Sequence, residues 1–142
     1  MSAAELSEEI ERLLEQISPA SGYATNIQGV YGFGKTKPDD APRPCLLVRV
    51  SEDTGGRRVG NKVERLAVYE VAGVFSRAAP LQDLQRCHHD VLRSLGYGND
   101  PPNRALAGAE IIEESAEFDP DTGGSLMRSF VARITLRYVA QY

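Results

Sequence analysis

The sequence is short of the features that carry most chemistries. Only two cysteines, Cys45 and Cys87, and two histidines, His88 and His89, occur in 142 residues. Two thiols cannot build a disulfide framework, and a chain of this length buries roughly 68% of the surface its unfolded form exposes, so its core needs no cross-link or structural metal. Both cysteines are expected to be ordinary buried thiols. There is no surplus of positive charge either. Sixteen Lys and Arg face twenty Asp and Glu, a net charge of −4, which is the wrong sign for gripping phosphate backbones. No stretch approaches the length of about eighteen consecutive apolar residues that spans a membrane. The opening residues, with Glu5, Glu8, Glu9, Glu11 and Glu15 against Arg12, lack the basic start and apolar run of an export signal. The expected compartment is the cytoplasm or a particle assembled there. With 42% hydrophobic and 25% charged positions, the composition is that of one globular domain, expected over residues 1–142.

What is present is periodicity. Leu6, Ile10, Leu13, Leu14 and Ile17 recur at spacings of three and four, which predicts an amphipathic helix from about residue 3 to 17. Ser2 followed by Glu5 fits a capping box, and Ser18-Pro19 stops the pattern. Short extended pieces are expected at 23–27 and 30–33, then a long loop punctuated by Gly34, Pro38, Pro42 and Pro44. Cys45 to Val50 reads as a strand and Lys62 to Ser76 as its return, central and covered toward its end. Between them Ser51 to Asn61, with Gly55, Gly56 and Gly60, suits the tip of a long hairpin. Leu81, Leu84, His88, Val91, Leu92 and Leu95 form a second helical stripe, with Pro80 at its first turn and Gly96 at its end. After a Pro-rich loop over 99–103, Ala109–Phe118 and 126–138 predict a closing β-hairpin through Asp119 to Gly124. The order of elements indicates an α+β fold, a mainly antiparallel β-sheet with two amphipathic helices packed on one face.

Several constellations resemble reactive sites and fall short of them. Gly29 to Thr36 satisfies the G-x-x-x-x-G-K-[ST] pattern of phosphate-binding loops. That chemistry requires a helix to begin at Lys35 and Thr36, and the following prolines oppose one. Cys87-His88-His89-Asp90 gathers ligand types, but adjacent helical residues point about 100° apart and cannot converge on one ion. A packed His88 and a solvated His89 are expected. Cys45 with His88 would make a nucleophilic pair with no third group to orient it. Glu113 and Glu117 share a strand face while Glu114 points the other way, so nothing fixes a general acid/base pair. No catalytic residue, metal site or cofactor is expected.

Charge is unevenly distributed. Residues 35–65 hold eight basic and five acidic side chains, whereas 110–121 carry Glu110, Glu113, Glu114, Glu117, Asp119 and Asp121 with no base among them. The plain interpretation is solvated faces and a charged edge strand that resists aggregation. The sharper one is complementary surfaces of a head-to-tail ring, with the acidic segment lining a lumen or an intersubunit face. Arg57, Arg58 and Lys62 sit at the glycine-rich tip and describe a mobile basic arm suited to contacting a partner or an adjacent subunit.

The opening helix, then Gly22-Tyr23-Ala24-Thr25-Asn26-Ile27-Gln28-Gly29-Val30-Tyr31-Gly32, resembles the start of the tail terminator, or tail completion, proteins of long-tailed bacteriophages. Pro44 to Val48, the Glu52-Asp53 pair, the long strand through Val71 to Phe75 and the closing turn from Asp119 to Gly124 are similar to that family's layout. Relatives often carry arginine after the glycine near Gly34. Here Lys35 stands there, so no binding role transfers to it. The resemblance implies a structural virion protein and not an enzyme: a homohexameric ring at the head-proximal end of the tail. Such a ring would cap the tail tube, stop its growth and offer a docking surface to the neck connector. DNA would pass through its lumen without specific binding, and no membrane would be involved. The alternatives are another neck or head-closure connector ring, or a small cellular α+β enzyme or ligand-binding domain.

Overall fold

A computed structural model describes residues 1–98, 106, 108–120 and 127–142. The Pro-rich loop expected at 99–103, the hairpin turn at 121–124 and Leu126 lie outside the described residues. Helix α1 (Ala3–Glu15) starts where the sequence signals it. Ser2 Oγ accepts the Glu5 N–H at 3.1 Å and the Glu5 carboxylate accepts the Ser2 N–H at 3.2 Å, a reciprocal capping box. One stripe of this helix, Leu6, Ile10 and Leu14, continued by Ile17, is fully buried. Each such side chain contributes roughly 1.5–3 kcal/mol. Pro19–Ser21 forms a single 3-10 turn that reverses the chain.

The sheet has five strands in the order β1-β2-β3-β5-β4: β1 (Val30–Gly32), β2 (Cys45–Val59), β3 (Lys62–Ser76), β4 (Ala109–Phe118) and β5 (Met127–Gln141). Among the described residues only β1 with β2 is parallel; the other three pairs are antiparallel. Helix α2 (Leu81–Ser94) joins β3 to the closing hairpin. Both helices pack on the same face, where Tyr69, Val71, Phe75, Phe130, Ile134 and Leu136 meet the stripes of α1 and α2 in one continuous core. Gly73 is required by this packing. A Cβ there would stand 2.2 Å from the Phe130 ring, which lies directly over the glycine from the neighbouring strand.

The fold class and the closing hairpin therefore agree with the sequence reading. Three details differ. The segment 23–27 is irregular rather than extended: its backbone is taken up by Asp90, which accepts the Thr25 N–H at 2.8 Å, and by Ile27 N–H donating to Ile17 O at 3.1 Å. Pro80 caps α2 from outside its first turn, and Leu81 is left exposed. Most consequentially, β2 does not end near Val50 but runs to Val59, leaving only Gly60-Asn61 as the turn. β5 accompanies β3 all the way to the pair Lys62↔Gln141.

Candidate interaction surface

The apparent phosphate-binding motif folds into something else. Gly29 to Gly32 enters β1, and at Gly32 a Cβ would stand 2.4 Å from Val48 O, so the glycine permits close pairing with β2. Phe33 and Gly34 then take left-handed backbone angles, φ 53° and 99°. No helix follows over 33–44. The Lys35 ammonium is held by Glu11 and, at 3.8 Å, by Glu15 of α1. It ties a loop to a helix.

The Cys87-His88-His89-Asp90 cluster splits between layers. Cys87 is buried in the core, where burial pushes its thiol up to about 12, away from nucleophilic use. His88 lies edge-on to Phe118 at 5.8 Å and near Phe130, with its Nε2 3.3 Å from the Glu114 carboxylate. His89 is exposed, and the buried Asp90 holds the 23–27 segment. By strand alternation Cys45 sits on the sheet face opposite the helices, so Cys45 and His88 are not brought together. Burial also raises the Cys45 thiol. Among the described residues no group of three or more potential ligands could hold a metal ion. An open cleft of about 470 Å³ at the sheet end, between Pro44, Phe75 and the start of α2, has Arg43 and Arg86 on its lining, and Arg86 is paired with Asp83 at 3.0 Å. No titratable pair there is arranged for acid/base chemistry.

The acidic segment is β4, an edge of the sheet. A bulge at Ile112 shifts its register against β5, so that Glu110, Glu113 and Glu117 all fall on the open face while Glu114 turns under toward His88. The separation of Glu114 from Glu113 and Glu117 is as expected. Glu110 is paired with Arg137. Asp119, left-handed at φ 50°, accepts from Arg128 Nε at 3.2 Å, and that guanidinium holds its carboxyl below the usual range. Glu113 and Glu117 have no cationic partner among the described residues. Asp121 lies outside them.

On the same open face Arg49 pairs with Glu70 at 2.7 Å and Arg133 with Glu52 at 3.2 Å, so with Arg137 its arginines are matched to carboxylates. Glu113 and Glu117 remain as unbalanced negative charge there. Among the described residues the face carries no helix.

The basic tip also differs from expectation. Arg57, Arg58 and Lys62 do lie together at the end of the β2–β3 hairpin and are exposed, but on paired strand rather than in a loop. The reason is a polar lock that spacing alone does not reveal. Asp53 accepts from Tyr138 Oη and from Arg65 Nε, each at 2.7 Å, and Arg65 Nη1 also donates to Tyr142 Oη at 3.1 Å. This fastens the far half of β2 through β3 to β5. Tyr138 is almost fully buried, and that burial raises its phenol pKa. Arg58 Nε donates to Gly60 O at 2.9 Å, whereas Arg57 and Lys62 have no carboxylate partner among the described residues.

No protein-family model matches the chain, and no curated protein matches it in sequence.

Proposed function

We propose that this chain is a tail terminator subunit: a structural, non-catalytic protein that assembles into a hexameric ring, caps the head-proximal end of a phage tail tube and presents a docking surface to the neck. The observation that carries this reading is the asymmetry of the sheet. One face is sealed by both helices, while the other carries no helix among the described residues and bears carboxylates on β4 that have no cationic partner among them. A ring subunit needs such sidedness, because one face must look toward a channel and the other outward. Carboxylates toward the channel repel phosphate and let a genome pass without adhering. The two edges also differ in charge, as a head-to-tail contact requires. The resemblance of residues 22–32 and 44–48 to tail terminators supports the same conclusion.

The test is the mass of the purified chain by light scattering, followed by addition to polymerising tail tube protein. The reading expects a hexamer and tubes of limited length. A monomer at tens of micromolar, or tubes of unchanged length, would overturn it.

A further inference from the structure

Among the described residues β1 covers β2 only at Leu46–Val48, so there β2 from Arg49 to Val59 is an open edge at one side of the sheet, and β4 is the open edge at the other. We propose that these two edges join successive copies of the chain, β4 of one copy adding as a strand to the uncovered stretch of β2 in the next. The inference rests on the ring reading for its closure and specifies how the ring is held together.

Three observations favour a second copy as the occupant. The first is direction. β2 and β5 run one way and β3 and β4 the other. A neighbour generated by rotation about an axis along the strands keeps those directions, so β4 meets β2 antiparallel and the alternation continues across the joint. The second is length. The uncovered part of β2 matches the ten-residue β4. Through the register, β4 stands level with Leu46–Gly55. Pairing with Arg49–Val59 therefore needs a stagger of about four residues, the kind of shear that tilts strands in a closing sheet. The third is charge. β4 offers Glu113 and Glu117, and the far end of β2 offers Arg57 with Lys62 beside it at the start of β3, none of them with an oppositely charged partner among the described residues. Two β4 edges repel each other, which disfavours a two-fold dimer and leaves the unlike contact. Bulges at Ile112 and Ser51 interrupt both edges and limit unregistered pairing with other strands.

Two charge reversals test the joint, one on each edge: Glu113→Lys with Glu117→Lys, and Arg57→Glu with Lys62→Glu. All four side chains are exposed, so circular dichroism should report an unchanged fold for each variant. Sedimentation in low salt should show each pair alone weakening association by about tenfold or more. A chain carrying all four substitutions should reassemble, because each joint then again unites opposite charges. If the unaltered chain forms hexamers and neither reversal affects them, or the fourfold variant fails to reassemble, the edge joint is wrong while the ring reading stands. Two-fold dimers of the unaltered chain would overturn the joint as well. A monomeric unaltered chain removes both.

Discussion

The two halves of the β2–β3 hairpin are held in place by different physics. Near the helices, Leu46, Val48, Tyr69, Val71 and Phe75 are buried against α1 and α2, and Phe130 lies over Gly73. Beyond Ser51 the β2 side chains are exposed, and order comes from ladder hydrogen bonds on β3 and from Asp53, Arg65 and Tyr138. A strand can thus be ordered by burial or by a few registered polar contacts. The first kind of order is tied to the stability of the whole domain, whereas the second can be removed locally.

The comparison is broken most severely by Phe130→Ala, which removes the ring over Gly73 and leaves a cavity at the centre of the core. A loss of about 3–5 kcal/mol is expected in denaturant unfolding, with every probe reporting the same transition. Tyr138→Phe deletes only the hydrogen bond to Asp53 and should cost about 1.5 kcal/mol. Its signature is local: faster amide exchange over Ser51–Lys62 with little change around Val71. Equal acceleration in both halves would show that the hairpin is one cooperative unit.

A smaller effect depends on pH. The Asp119 carboxyl is held below its ordinary value by its hydrogen bond to Arg128. The unfolded group titrates near 3.8, so this stabilisation is fully present above that pH and fades as the pH falls through the lower folded value. Amide exchange at Ser129 and Phe118 should accelerate in that acid window, and Asp119→Asn should remove the acid-dependent component. Smallest of all is Lys35→Ala. It breaks an exposed pairing with Glu11 and Glu15 and should leave Tm essentially unchanged, which thermal melting would check.

Much of the covered half was legible in the sequence. The α1 stripe and its capping box, the bounds of β4 and the centrality of β3 follow from period and punctuation, because those signals are local. The far half of β2 was not. Gly55 and Gly56 suggest a loop, and what overrides them is a contact between Asp53 and Tyr138 on strands distant in sequence. The facing of the acidic residues was half legible. Alternation separates Glu114 from Glu113 and Glu117, but the bulge at Ile112 that brings Glu110 onto their face leaves no mark in residue type. Likewise Asp90 reads as an ordinary polar position on α2, and only the fold shows it holding the Thr25 amide.

The brevity of β1 has a consequence for how much of the molecule can be shared. At Phe33 and Gly34 the backbone turns left-handed, and the chain leaves β2 after only three paired residues. Had those two residues kept extended angles, residues 33–44 could have continued alongside Arg49 and beyond, occupying the hydrogen-bonding groups there with the chain's own backbone. The handedness of two peptide units thus acts as a stop for intramolecular zippering, and it leaves the rest of β2 as unspent valence.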